Sequence, residues 1–159
     1  MNTLLDLLNS RPLVDGREQD ALADPAEGRR WARGHGGDGS PEELALLRKA
    51  RDVLRDVVGG ERSPEALQPL LDEVQRVPEA TAEGLRWTLR TAPHARLAVE
   101  VILAWAETEE RMPGRLRPCA NSECRLFLLD RSRANRARWC SMAVCGNREK
   151  ARRHYERTR

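Results

Sequence analysis

The four cysteines of this chain lie near its carboxyl end, in two pairs with the same internal spacing. They follow the pattern C-x4-C-x15-C-x4-C. Two close pairs joined by a short span suit a tetrahedral metal site, because each pair occupies one local turn and the span lets the turns face each other. Four thiolates fill the coordination sphere of a zinc ion, which predicts one structural zinc site with no open position for water. The predicted ligands are Cys119, Cys124, Cys140 and Cys145.

Two other interpretations of the cysteines stay open at this point: two disulfides, or four unrelated buried thiols. Metal binding is favoured, because paired cysteines in a chain without a secretory signal usually hold a metal. The first ten residues have no basic leader and carry Asp6, so they do not form a signal peptide. No apolar run reaches membrane-spanning length. We therefore expect a soluble, cytoplasmic protein with no membrane partner.

The residues around the cysteines form a longer motif. Its parts are residues 124–133 (CRLFLLDRSR), 138–142 (RWCSM) and 145–150 (CGNREK). Through this motif, residues 116–159 resemble the CGNR zinc-finger family. Upstream, residues 7–11 and 20–31 look like the start of the ABATE domain, which usually precedes this finger in bacterial proteins. The resemblance implies two domains: a mostly helical ABATE-like domain in residues 1–112, and a CGNR-type zinc finger with a basic helix in residues 113–159.

The same resemblance implies a DNA-binding transcription regulator that responds to stress, with an N-terminal domain that senses a signal or mediates association. RNA stays an alternative partner, because phosphate contacts do not distinguish the two nucleic acids. A protein-interaction module whose basic finger docks on an acidic partner is a further alternative, and a homo-oligomer is compatible with the sequence. No enzyme is expected, because the chain lacks a paired acid and base or a nucleophile with a histidine. The sequence identifies no small-molecule effector.

The charges of the chain are divided unevenly between its two parts. Residues 1–110 contain 14 Lys+Arg and 21 Asp+Glu, a net charge of −7, whereas residues 111–159 contain 14 Lys+Arg and 4 Asp+Glu, a net charge of +10. Four thiolates around zinc leave about two negative charges, so some of these cations balance the metal site. The remainder predicts a polyanion-binding surface. Its candidate residues are Arg131, Arg133, Arg136, Arg138, Arg148, Lys150, Arg152, Arg153 and Arg157.

The N-terminal part carries the start signals of several helices. Asp24-Pro25 and Ser40-Pro41 each combine a capping residue with proline at the first helical position, and the second helix should end at Gly59-Gly60. Ser63 should begin another helix, with apolar residues on one face as far as Val77. Residues 95–106 are apolar nearly all round, which predicts a buried central helix.

Strand periodicity appears at two places. Leu85, Trp87 and Leu89 alternate with polar residues after a turn-like segment, which predicts a short β-hairpin in the mainly α N-terminal domain. In the finger, residues 126–129 suggest a strand, and residues 138–139 suggest the strand that pairs with it. Ser141 is a plausible cap for a following helix. A β-hairpin plus a helix, each carrying one cysteine pair, predicts a treble-clef-like finger.

Three residues near the cysteines are candidates for supporting the metal site. Ser141, Gly146 and Asn147 are expected to pack against or hydrogen-bond the groups around the zinc ligands. Arg148 fits a structural role and a phosphate contact about equally well. His154 is expected to be a surface or packing residue, because four cysteines already complete the site.

Overall fold

A computed structural model describes residues 2–14 and 16–157, together with every side chain among them except that of Arg153. Within that part of the chain the fold is mainly helical, as predicted, and three short antiparallel strand pairs complete it. The α-helices are α1 (Thr3–Leu8), α2 (Pro25–Gly34), α3 (Pro41–Gly59), α4 (Arg96–Arg111) and α5 (Asn147–Arg157). The strand pairs join β1 (Leu13–Val14) to β2 (Arg17–Glu18), β3 (Gln75–Thr81) to β4 (Gly84–Arg90), and β5 (Leu116–Pro118) to β6 (Phe127–Leu129).

Helices α2 and α3 begin at the predicted caps. The Asp24 carboxylate accepts hydrogen bonds from the backbone amides of Ala26 and Glu27, at 3.0 and 2.9 Å, before α2. The Ser40 hydroxyl accepts one from the amide of Glu43, at 3.2 Å, before α3. These bonds satisfy amides that have no partner within the first turn of a helix. At the other end of α3, Gly60 has a φ of +79°, a left-handed conformation that glycine adopts without steric cost.

Helices α1, α3 and α4 pack against one another and enclose the main hydrophobic core. The helix predicted for residues 95–106 is confirmed as α4, which extends to Arg111, but it is buried on one side only, at Leu97, Ala98, Val99, Val101 and Ile102. Each fully buried leucine or isoleucine stabilises the fold by roughly 1.5–3 kcal/mol. The most deeply buried members are Leu4, Leu7, Leu8, Leu47, Leu54, Val101 and Ile102, all at most 2% exposed.

The segment between α3 and α4 is only partly helical, which corrects the helix predicted from Ser63 to Val77. A 3-10 helix occupies Pro64–Leu70 and stops there, and Val77 lies in strand β3. Pro69 contributes to the difference, because it cannot donate the backbone hydrogen bond that a continued α-helix needs, and residues 75–81 pair with β4 instead. The predicted strand over residues 85–89 is confirmed as β4, and it pairs with β3 across a tight turn.

The β5–β6 pair continues the hydrophobic core beyond residue 112. Leu116 and Phe127 are 4% and 6% exposed and belong to the same buried cluster as the leucines of α1 and α3. The side chain of Asn9, at the end of α1, donates to the backbone oxygen of Phe127 and accepts from its amide, at 3.1 and 2.7 Å. The predicted domain boundary between residues 112 and 113 stays a prediction. In the structure, apolar contacts cross that position.

A chain that ends at residue 112 should therefore be less stable than one that ends at residue 130. The shorter chain lacks Leu116 and Phe127, and losing large buried side chains costs about 3–5 kcal/mol each. We expect its midpoint of thermal unfolding, followed by circular dichroism, to lie about 10 °C or more below that of the longer chain. Equal midpoints for the two chains would instead favour an N-terminal domain that is complete at residue 112.

Candidate metal centre and basic surface

The four cysteine sulfurs converge at one point of the structure, where all four lie within 4.8 Å of one another. The sulfur of Cys140 lies 3.6 Å from that of Cys124 and 3.7 Å from that of Cys145. Around a zinc ion with bonds of about 2.3 Å, tetrahedral geometry separates the sulfurs by about 3.8 Å. All four cysteines are free thiols, so the disulfide alternative does not describe this structure. The donor set and its spacing fit a tetrahedral zinc site.

Two different local structures present the two cysteine pairs. Cys119 and Cys124 lie in the connection between β5 and β6, where the Cys119 amide donates to the Leu126 oxygen at 2.8 Å. Cys145 lies in a single π-helical turn, Met142–Gly146, directly before α5. Ser141 precedes that turn, as predicted for a cap, and its hydroxyl accepts from the amide of Val144 at 3.3 Å. Its backbone oxygen accepts from the Cys145 amide at 2.9 Å, which fixes this ligand beside the others.

The strand partner within the finger differs from the prediction. Strand β6 pairs with β5, in the register Leu116↔Leu129, and residues 138–139 form no strand. One backbone hydrogen bond, from the Ala120 amide to the Arg138 oxygen at 2.8 Å, joins that segment to the first cysteine loop. A three-residue strand such as β5 is too short to show clear periodicity. The β-hairpin therefore encloses the first cysteine pair, and the helix follows the second.

Asn121 supports the cysteine cluster, although the sequence analysis did not single it out. Its side chain is 4% exposed and its amide donates toward the Cys145 sulfur at 3.6 Å. Its side-chain oxygen accepts from the amide of Glu123 at 3.2 Å, in a turn typical of asparagine. Burial alone would raise the pKa of the Cys145 thiol, yet the Asn121 amide and the neighbouring thiols hold that pKa below its usual value. Burial raises the pKa of Cys124. In the sequence, the feature that could have indicated this role is an asparagine two positions after the first cysteine.

Replacing Asn121 with alanine should weaken zinc binding by about 10–100-fold, because groups that hydrogen-bond metal ligands contribute that much to affinity. Competition with a chromogenic zinc chelator measures the change. Asn147→Ala serves as the matched control, since the Asn147 side chain donates to the Ala143 oxygen at 3.2 Å, within its own helical turn. Equal loss of affinity in both variants would contradict the role given to Asn121.

The predicted supporting residues have different environments. Gly146 is buried, and a side-chain carbon there would lie 2.8 Å from the sulfur of Met142, which is the end of a flexible side chain that is 55% exposed. Asn147 is exposed and bonds to its own helical turn. Arg148 is 61% exposed and lies 3.6 Å from Glu123, in the first cysteine loop. An exposed pair of this kind is worth about 0–1 kcal/mol, so Arg148 remains available to a ligand.

A buried carboxylate organises the loop that follows β6. Asp130 is 2% exposed and lies 2.8 Å from the guanidinium of Arg117. It also accepts from the backbone amides of Ser132 and Ala137, at 2.8 Å each. Hydrogen bonds from Ser132 and Ala137, together with the charge of Arg117, hold the pKa of Asp130 at about 2. Since Arg117 also donates to the side chain of Asn135 at 2.9 Å, residues 130–137 form a fixed loop.

The first half of the finger is fixed to the helical part of the chain. The Arg55 guanidinium lies 4.9 Å from the centre of the Phe127 ring and donates to the Arg125 oxygen at 2.8 Å. Arg125 in turn pairs with Glu18. Helix α5, in contrast, packs mainly against the π turn before it among the described residues. The cysteine cluster and the Arg148–Glu123 pair both connect the start of α5 to the first cysteine loop.

The structure places most of the predicted polyanion-binding residues at exposed positions on the loop after β6 and on α5. Arg133 and Arg136 lie on the fixed loop, and Lys150 and Arg157 lie on α5. Within residues 2–14 and 16–157, none of these four has an ion-pair partner or a side-chain hydrogen bond. Their charges are therefore available to a ligand.

Four other candidates have different surroundings. Arg131 is exposed and borders a crevice formed with α1 and α4. The Arg138 guanidinium lies 5.2 Å from the centre of the Trp139 ring. Arg152 pairs with Glu149 at 2.6 Å. The side chain of Arg153 lies outside the described part of the structure.

His154 takes no part in the cysteine cluster, and its ring lies edge-on to that of Tyr155, with centres 6.2 Å apart. None of the helices in the described ranges combines the length and the apolar character that crossing a membrane requires.

Comparison with known families agrees with this geometry. The model of the CGNR zinc finger matches residues 115–158, which include all four cysteines. The model of the ABATE family, described as a putative stress-induced transcription regulator, matches residues 2–126. Among curated proteins no match is found. The ABATE match covers more than half of the chain and overlaps the finger over residues 115–126, which contain β5 and the first cysteine pair, so the chain belongs to the ABATE family and carries a CGNR zinc finger.

Proposed function

We propose that this protein is a transcription regulator whose finger binds duplex DNA and holds one zinc ion per chain. The observation that carries the proposal is the set of exposed cations of the finger that have no ion-pair partner among the described residues: Arg133, Arg136, Lys150 and Arg157. They belong to a segment, residues 111–159, with a net charge of +10. Cations clustered on one module are the electrostatic footprint of a nucleic-acid partner.

The loop and α5 supply two sets of phosphate contacts. Guanidinium groups match phosphate oxygens in a bidentate geometry, and a lysine ammonium adds a point charge. The hydrogen bonds of Asp130 restrain the backbone of the loop that carries Arg133 and Arg136, so the cost of ordering that backbone is not paid again on binding. The rest of the chain, residues 1–110, has a net charge of −7, which disfavours contact between that part and DNA.

Zinc at the four cysteines would link the two cysteine pairs and stabilise their thiolate forms. The chain itself positions the two cysteine pairs. Cys119 and Cys124 stand on the hairpin that is fixed to α1, and Cys140 and Cys145 stand beside the basic helix. The site thereby sets the orientation of α5 relative to the loop. Because four protein ligands leave no position for a substrate, we propose a binding role and no catalysis.

The ABATE part would then carry the sensing or association function of the regulator. Its helices enclose a continuous apolar core, and its contact with the finger runs through β5, β6 and the end of α1. A conformational change in the ABATE part would act on the finger through the hydrogen bonds between Asn9 and Phe127. This arrangement supports a regulator in which one end of the chain responds to a signal and the other binds DNA.

Replacing Arg133 or Arg136 with alanine should weaken binding to any duplex sequence by a similar factor. Each change should also lower the slope of log K against log salt by about one, because each removes one phosphate contact. Fluorescence anisotropy with a labelled duplex measures both effects. Arg30→Ala is the matched control, since Arg30 is an exposed arginine on α2 with the same charge. Equal slopes for the loop variants and the wild type would contradict the phosphate contacts.

A further inference from the structure

The β3–β4 hairpin presents an apolar face that the rest of the described chain does not cover. Its strands pair along seven residues each, and within residues 2–14 and 16–157 they pack extensively only against each other. A two-stranded hairpin by itself is marginally stable in water. Leu85 and Trp87 are nevertheless 72% and 58% exposed, although burial of such side chains is a main source of stability.

The exposed apolar residues of the hairpin share one face. Residues two apart in a strand point to the same side, so Leu85, Trp87 and Leu89 lie together. Pro78 and Ala80 lie directly across from Trp87 and Leu85 on the neighbouring strand. Cross-strand neighbours of this kind form a continuous surface. The hairpin therefore has an apolar face, which we call the β3–β4 face.

The β3–β4 face borders an open groove of about 550 Å³ against α4. Trp87 and Leu89 line it on the hairpin side, and Leu103 and Ala104 line it on the helix side. Charged side chains complete its lining: Arg76, Glu100, Glu107, Glu110 and Arg111. An exposed aromatic residue with charged groups around it is typical of a protein-interaction site.

The rim of the groove carries unpaired charges of both signs. Arg76 lies on the hairpin side and Glu110 on the helix side, and neither has an ion-pair partner among the described residues. A partner whose surface carries charges of one sign could pair with Arg76 or with Glu110, but not with both. A second copy of the chain satisfies both, because a two-fold axis brings Arg76 of each copy to Glu110 of the other.

We propose that the β3–β4 face is the interface between two copies of this chain. In the dimer, the hairpin of each copy enters the groove beside α4 of the other, and Trp87 becomes buried at the centre. Arg76 and Glu110 form two symmetric ion pairs at the rim. The proposal does not depend on DNA binding, because none of its residues belongs to the finger.

Sedimentation velocity of the full, zinc-loaded chain tests the proposal over about 1–100 μM. The wild type should show a monomer–dimer equilibrium, and Trp87→Glu should raise its dissociation constant by on the order of 30-fold or more, as expected for a central tryptophan. Val14→Glu is the matched control, since Val14 is 39% exposed on a different hairpin. A wild type that stays monomeric throughout, or equal effects of the two variants, overturns the proposal.

Exchanging the two charges tests the contact between Arg76 of one copy and Glu110 of the other. Its readout is a recovery of dimers, which a variant that merely lost its structure would not give. Arg76→Glu and Glu110→Arg should each weaken self-association, because each places like charges opposite one another twice. Mixing the two variants should restore dimers, since the mixed dimer has two pairs of opposite charge. A mixture that remains as monomeric as its components overturns the two-fold arrangement.

Discussion

Replacing Cys145 with serine should release residues 140–157 from the rest of the chain and abolish stable zinc binding. Structural zinc contributes roughly 10–16 kcal/mol of apparent binding free energy in zinc-finger peptides, and a serine hydroxyl does not replace a thiolate ligand. The effect should stay local. Hairpin β5–β6 is held to the body by Asn9 and Arg55, whereas α5 packs mainly on the turn that contains Cys145.

Hydrogen exchange read by mass spectrometry, with zinc content measured in parallel, distinguishes local release from global unfolding. Amides of the 140–157 segment should lose protection, while those of α3 and α4 should keep it. Met142→Ala is the matched control, because Met142 is 55% exposed in the same turn and carries no predicted ligand. Unchanged zinc content and unchanged exchange in the serine variant would mean that Cys145 is not a ligand.

Replacing Arg51 with methionine should destabilise the body of the protein by about 3–5 kcal/mol. Arg51 is 1% exposed and makes two bonds to the carboxylate of Asp20, at 2.6 and 2.8 Å, and one to the hydroxyl of Ser10, at 3.0 Å. Removing the guanidinium leaves the Asp20 charge largely buried without its partner. Urea unfolding measures the loss.

Two further variants make the Arg51 result specific. Arg62→Met removes an exposed pair with Asp56, at 3.9 Å, and should cost about 0–1 kcal/mol. Adding Asp20→Leu to Arg51→Met should recover part of the lost stability, because no buried charge is then unpaired. If Arg51→Met is as stable as the Arg62 variant, the buried pair does not stabilise the fold.

The same ion pair gives stability a defined pH dependence. Burial opposes ionisation of Asp20, but hydrogen bonds from Arg51 and the Leu22 amide outweigh it and hold the pKa of that carboxyl below its usual value of 3.8. A carboxyl whose pKa is lower in the folded than in the unfolded chain stabilises the fold above the unfolded value and loses that contribution as the pH falls. The contribution of Asp20 is therefore complete above about pH 4 and declines in more acidic solution.

Local chemistry made the helix starts and the cysteine cluster predictable from the sequence. The caps at Asp24 and Ser40 satisfy amides within their own helices, and cysteine spacing fixes which loops can share one metal. The β3 strand was missed because the apolar residues from Leu67 to Val77 match a helix as well as a short strand. Only the pairing with β4 decides between them.

Residues that act through distant contacts could not be assigned from the sequence. Asp130 meets Arg117 only because β5 and β6 pair, and Arg51 meets Asp20 only after α3 packs beside the preceding loop. Each lies more than ten positions from its partner, so local periodicity carries no information about the contact. The same applies to Trp87, whose place in β4 was predicted but whose exposure depends on what the hairpin packs against.

Binding of the zinc-loaded full chain to a random-sequence DNA duplex across a salt series tests the central claim most directly. Four phosphate contacts, from the two loop arginines and the two exposed cations of α5, predict a slope of log K against log salt of about −3 to −4. The double variant Arg133→Ala with Arg136→Ala should lower that slope by about two. Either of two results would contradict the account. One is a chain that contains zinc but does not bind the duplex at low salt, and the other is a double variant whose slope equals that of the wild type.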